Sequence, residues 1–228
     1  MLNIKMLNDK EKLVEGQHGK LEMLVIEIER QELEIVGLSE TRWIGEGSFQ
    51  HDDNTTIIYS GKPSGIRERG VAMILRGEAR RALIGYTTIS ERIMAIRLFA
   101  KPKNLTLLQV YAPTATKKNE RAIDNFYEEL QTATVFIKKE DICIVMGDLN
   151  AKVGHGEDKQ CGIGMHGLGT RNESGDKLAE FCLANNLTIA NTWFKHHPRN
   201  TYTWKSPGDL YRNQIDYIMT YGHVLKKF

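Results

Sequence analysis

Apolar residues in this 228-residue chain recur with two different rhythms. Leu21, Leu24, Val25 and Ile28 repeat at helical spacing, with Glu22, Glu27, Glu29 and Arg30 off their face, which predicts a helix from Lys20. The same rhythm in Ile123, Phe126, Tyr127 and Leu130 predicts a second helix over about Glu120 to Ile137. Leu178, Phe181 and Cys182 predict a third, from Ser174 to about Asn186. Elsewhere the apolar runs are short and bounded by turn residues, as strands are. They fall at 3–7, within 34–43, and at 55–61, 70–76, 92–100, 105–113, 142–146, 187–194, 202–206 and 214–220. In 92–100 the alternation is imperfect, which suggests burial on both faces.

No helical rhythm interrupts residues 55–113, so a doubly wound parallel sheet, with a helix after nearly every strand, does not fit. The expected fold is α+β, an α/β sandwich of two packed, mostly antiparallel β-sheets flanked by helices. With no internal repeat, low-complexity tract or Pro/Ser linker, residues 1–228 are expected to form one domain.

Composition changes this picture little. A hydrophobic share of 41% with 26% charged residues suits a soluble globular chain. The net charge of +2 argues neither for nor against nucleic acid, so local patches must decide. Three cysteines without a C-x-x-C pair suit a reducing compartment, so an intracellular protein is expected, nuclear if functional. No apolar stretch nears the roughly 20 residues that span a bilayer, and no signal-peptide pattern opens the chain; no membrane partner is expected.

The residues able to do chemistry stand where predicted strands stop. The run Ile142–Met146 ends in Gly147-Asp148-Leu149-Asn150. Side chains two apart on a strand point the same way, and Asp148 only accepts whereas Asn150 can donate, so the pair can hold a water or a phosphate oxygen. A plain turn fits the same two residues. Further polar groups follow at Asn3, at Ser39-Glu40-Thr41-Arg42-Trp43, at Gln109-Val110-Tyr111-Ala112-Pro113-Thr114, at Tyr202-Thr203-Trp204 and at Asn213-Gln214-Ile215-Asp216-Tyr217. Glu40, Asp148 and Asp216 are expected to converge on one edge of the sandwich.

Taken in order from Asn3 to about Thr220, these motifs resemble the endonuclease/exonuclease/phosphatase superfamily. Within it the likeness is greatest to the endonuclease domains of LINE-type (non-long-terminal-repeat) retrotransposons of the RTE clade, and proteins labelled craniofacial development protein 2-like share it. The resemblance implies hydrolysis of a phosphodiester by an attacking water, with Mg²⁺ or alternatively Mn²⁺, in a domain that nicks double-stranded DNA. It implies a reverse transcriptase as partner in a parent element. By the same resemblance Glu40 is the metal ligand, a hard oxygen of the kind Mg²⁺ prefers, with Asn3 bracing the metal site. Asp148 orients or deprotonates the water. Asn150 donates to a phosphate oxygen or holds that water. Tyr111 and Thr203 bring hydroxyls to the phosphate, and Asp216 matches an aspartate that orients a histidine. Arg42 and Trp204, beside motif residues, join Thr203 as substrate-binding candidates.

One part of the family pattern is absent. The family carries a further strand with S-D-H, whose aspartate is a second metal ligand and whose histidine pairs with the residue matched by Asp216. Here Thr220 is followed by eight residues, and His223, the only histidine beyond Asp216, has no aspartate beside it. The C-terminal strand or strands therefore look missing. A catalytically impaired remnant that binds DNA or protein is the first alternative to an active nuclease, and a phosphatase of the same superfamily the second.

Other signals carry less. Gly162-Ile163-Gly164-Met165-His166-Gly167 spells G-x-G-x-x-G, but it lies mid-loop among the six glycines of 154–171, without a strand before it or a helix opening after it. No nucleotide cofactor is expected. His196-His197 has no ligand pair at useful spacing. Arg67, Arg69, Arg76, Arg80, Arg81 and Lys117, Lys118, Arg121 are solvated faces or, beside a phosphodiester site, backbone contacts. Trp43 and Trp204 are DNA contacts or core-edge residues.

Overall fold

The computed structural model describes residues 19–115, 119–156 and 158–222. The expected strand at 3–7, Asn3, Lys117, Lys118 and His223 lie outside the described residues.

The helical stripe at the start folds as read: α1 (Gly19–Arg30) buries Leu24, Val25 and Ile28. Four strands follow as one antiparallel sheet: β1 (Ile35–Ser39), β2 (Glu46–Asp52), β3 (Thr55–Ser60) and β4 (Val71–Arg76), in spatial order β1-β4-β3-β2. β4 is buried along its whole length because both of its faces are covered. Ala72 and Ile74 join Leu24, Ile28 and Leu38 beneath α1. Val71, Met73 and Leu75 point the other way, into the layer between the two sheets.

The second sheet has the order β5-β6-β7-β8-β12-β9. Its members are β5 (Leu83–Ser90), β6 (Ile93–Leu98), β7 (Leu105–Tyr111), β8 (Ile142–Asp148), β9 (Leu187–Ile189) and β12 (Asp216–Tyr221). All neighbours are antiparallel except β7 and β8, which are parallel. That pair needs a crossover, and α3 (Glu120–Ala133) supplies it. Met94, Ile96 and Leu107 face the first sheet. Ile93, Leu108 and Val145 face α3 and α4 (Glu173–Ala184), whose Phe126, Leu130, Leu178 and Phe181 close the outer core. Two packed, mostly antiparallel sheets with helices on the outside are what the strand-rich pattern predicts.

Among the elements not legible as such are β2, β5 and the one-turn α2 (Gly77–Arg81). Both strands are sheet edges, and none of their residues is fully buried, so neither needs an apolar face. The predicted strand 187–194 stops at Ile189. There Thr192 Oγ1 donates to Ile189 O at 2.7 Å and closes a 3₁₀ turn over Ala190–Thr192. The predicted 202–206 strand shortens to β10 (Trp204–Lys205), paired with β11 (Arg212–Asn213) as a small hairpin. Among the described residues no helix is long and apolar enough to cross a membrane.

Candidate active site

Register places the key residues. Tyr111 ends β7, Asp148 ends β8 and Asp216 begins β12; Tyr111 is the Cα partner of Asp148, and Asp148 of Asp216. Two backbone bonds continue the ladder past the row. Ala112 N donates to Asp148 O at 2.8 Å, and Leu149 N donates to Ile215 O at 2.9 Å. Gly147 is required by closeness: a Cβ there would lie 1.9 Å from Val110 O on the adjoining strand.

Asp148 is 4% exposed, and its Oδ1 accepts from Asn150 N at 2.9 Å. Asn150 sits in the left-handed region (φ 45°), and its Nδ2 donates to Ala112 O at 2.8 Å. The turn alternative and the functional one are thus the same geometry. The turn locks the carboxylate, and Asn150 keeps a second amide proton beyond the one given to Ala112.

Glu40 approaches from the first sheet. Glu40 and Arg42 both hold positive φ (57° and 56°), a costly backbone for non-glycine residues, and neighbouring bonds impose it. Thr41 N donates to Gly70 O at 3.2 Å and Arg42 N to Arg69 O at 2.7 Å. The Tyr111 hydroxyl donates to Glu40 Oε1. Burial first, and then this bond, hold the phenol far above its ordinary range. Glu40 Oε2 is buried without a hydrogen-bond partner among the described residues, and Arg42 Nη2 stands 3.9 Å away.

Asp216 is 2% exposed, and its Oδ2 also lacks a hydrogen-bond partner among the described residues. Thr203 Oγ1 accepts from Ile215 N at 3.0 Å and Asp216 N at 3.1 Å, so this hydroxyl fastens the start of β12. Burial pushes the Asp216 carboxyl up to about 6, with the Thr203 side chain opposing. Because the folded-state value is raised, the native state alone keeps this proton between about pH 4 and 6, and the group's stabilising contribution is lost as pH rises through 6. Asp216→Asn is therefore expected to match the wild type near pH 4 and to exceed it above pH 6 by at most about 3 kcal/mol. Thermal unfolding of both proteins from pH 4 to 8 checks this; a constant gap would show that Asp216 ionises normally.

Glu40, Tyr111, Asp148, Asn150, Thr203 and Trp204 all line one cleft of about 490 Å³. Asn213, from the last of the polar signatures, lines it too, as do Lys152, Asn172 and Lys205, which were not among the candidates. Lys152 continues the two-residue spacing of Asp148 and Asn150, a signal available in the sequence. Asn172 was hidden as a helix cap: its Oδ1 accepts from Gly175 N at 2.9 Å and Lys152 N at 3.0 Å, tying α4 to the cleft floor. Arg42 instead lines a neighbouring cleft of about 500 Å³ with Arg67, Arg69 and Arg92, and Glu40 and Tyr111 form the wall between the two. Trp43 is core, packed edge-on against Tyr59 with centroids 5.4 Å apart. Arg76 is buried, bonded to Thr55 and Glu29, and so is no DNA contact.

The residues fit a hard divalent cation. Among the described residues no three His, Cys, Asp or Glu side chains gather as a ligand set. Mg²⁺ asks for less, since it keeps several waters and takes one or two carboxylates together with substrate phosphate oxygens. Glu40 Oε2, buried and without a hydrogen-bond partner among the described residues, is such a carboxylate oxygen.

Known proteins resemble this chain in sequence or in fold. Craniofacial development protein 2 of Bos taurus is 44% identical over 202 residues, which are 88% of this chain and 33% of that protein. The chain spans about a third of the length of the curated relatives it matches. The endonuclease domain of TRAS1, a telomere-specific non-LTR retrotransposon, superposes with a TM-score of 0.58 at 16% identity, over 89% of this chain and 80% of that one. The 3' phosphatase NExo from Neisseria, bound to a product DNA hairpin, gives 0.61 at 13% identity, over 89% and 82%. At these identities the two structures speak for the fold alone. The sequence itself speaks for more: residues 15–227, from α1 through β12, match the Endonuclease/Exonuclease/phosphatase family, to which this chain belongs.

Proposed function

We propose that this chain is a metal-dependent phosphodiesterase that nicks double-stranded DNA, a domain of retroelement origin. The observation that carries this reading is the pair of carboxylates that lines one cleft. Asp148 is locked by Asn150, and Glu40, bridged to the Tyr111 hydroxyl and with its Oε2 without a hydrogen-bond partner among the described residues, lines the same cleft. A cation held on Glu40 would supply Lewis-acid stabilisation of the phosphoryl and leaving oxygens. Asp148 accepts a proton from the water whose oxygen attacks phosphorus, as the bond from phosphorus to the leaving sugar oxygen breaks. The remaining Asn150 amide proton meets the charge that develops on the phosphoryl oxygen. Lys152 and Lys205 hold the backbone of the strand, and Trp204 flanks it. Relatives whose names speak of a retrotransposon endonuclease and of a DNA hairpin product support DNA as the substrate. Action in the nucleus and a reverse transcriptase in the parent protein belong to the same reading.

A second reading, a DNA-binding remnant, is favoured by Asp216, whose Oδ2 has no partner among the described residues. Supercoiled-plasmid nicking separates the two. Relaxation with Mg²⁺ and none with EDTA is expected of the nuclease, and binding without relaxation of the remnant. Glu40→Gln keeps an acceptor for Tyr111 but loses the charge, and should raise the Mg²⁺ concentration for half-maximal nicking by about tenfold or more. An unmoved Mg²⁺ dependence would remove Glu40 from the metal site.

A further inference from the structure

We propose that Arg92 is a positioning residue, which acts through Tyr111 to fix the hydroxyl that meets Glu40; this inference rests on the phosphodiesterase reading. Arg92 lies in the turn before β6 and embraces one residue from several sides. Its carbonyl accepts from Tyr111 N at 2.9 Å, its Nη1 donates to Tyr111 O at 2.8 Å, and its guanidinium carbon stands 5.0 Å from the centre of the Tyr111 ring. A guanidinium on an aromatic face and on the same residue's carbonyl restrains both the ring and its backbone. The turn is itself held, with Arg92 N donating to Ser90 Oγ at 3.2 Å and Arg69 Nη1 to Glu91 Oε1 at 2.5 Å.

The placement says why the effect must be indirect. Arg92 lines the arginine-rich cleft and not the one that holds Asp148 and Asn150, whereas Tyr111 and Glu40 line both. Arg92 therefore stands behind the wall, and Tyr111 is the part of the wall that it grips. The position is costly: burial lowers the guanidinium's pKa, with the Arg69 charge adding to the effect. Partial desolvation of a charge is tolerated where fixed contacts offset it, and here those contacts converge on Tyr111.

Two measurements test the proposal. The first is a double-mutant cycle in Mg²⁺-dependent nicking. Arg92→Met should lower kcat about ten- to hundredfold with KM within about twofold, and should cost less than about twofold more in a Tyr111→Phe background. Arg92→Lys keeps the charge without the planar fork, so it should recover little, and it replaces Arg92→Met should that variant not fold. Full additivity would overturn the proposal. So would a raised KM with a flatter salt dependence at unchanged kcat, since that is the signature of a direct phosphate contact.

The second measurement needs no activity. In ¹³C-tyrosine NMR spectra, the resonance lost in Tyr111→Phe should shift and broaden in the Arg92 variants, with the other tyrosines unmoved. An unmoved Tyr111 resonance overturns the proposal. If the wild type does not nick DNA, the phosphodiesterase reading falls, and the spectra still decide whether Arg92 holds Tyr111.

Discussion

Asp148→Asn is expected to leave the protein folded and able to bind DNA while lowering kcat for nicking by about 10²–10⁴. The substitution keeps size and shape. An amide oxygen in place of Oδ1 still accepts from Asn150 N, so the turn at the end of β8 survives. What disappears is the capacity to take a proton from water. Plasmid nicking rates, with DNA affinity and the unfolding temperature measured alongside, check the outcome. A loss smaller than tenfold would mean that the water is deprotonated elsewhere; of the residues lining the same cleft, Glu40 is the other carboxylate.

Gly147→Ala should act on stability. The new Cβ would lie 1.9 Å from Val110 O and 2.9 Å from Val110 Cγ2, at the point where β7 and β8 pair. The only relief is to spread the two strands that carry Tyr111 and Asp148, in a core without slack. A loss of about 4 kcal/mol or more follows, lowering Tm by roughly 8–16 °C for a chain of this size. Gly85→Ala, at a site with nothing within 4 Å, is the control and should stay within about 0.5 kcal/mol of the wild type. Equal unfolding temperatures for the two variants would mean that the strands do not press together as described.

The contrast between these glycines shows what a sequence discloses. The stripe Leu24, Val25 and Ile28, the all-apolar β4 and the run into Gly147-Asp148 each reflect burial, and burial writes a periodic pattern into the chain. β2 and β5 are edges whose side chains meet solvent, so their pattern is weak. The site divides in the same way. Glu40, Tyr111, Asp148 and Asn150 announce themselves as polar groups at the ends of apolar strands. Asn172 and Arg92 do not, because their roles depend on contacts with residues 20 and 19 positions away, which no local pattern encodes. Arg42 was placed by proximity in sequence to Glu40, and a left-handed backbone at both residues turns it into the adjoining cleft.

The place of β12 in its sheet bears on how the protein is made. β12 lies between β8 and β9, although the ribosome delivers it after both. Among the described residues, until Asp216–Tyr221 emerge, β8 has a partner on one side only and β9 has no neighbouring strand. The nascent chain thus carries an open strand edge through the synthesis of residues 149–215, a surface for chaperones to meet. Asp148 spends that interval without Asp216 beside it and without Ile215 to receive Leu149 N. The carboxylate row is therefore among the last features to form, so a DNA-cutting centre would come into being only as its sheet closes.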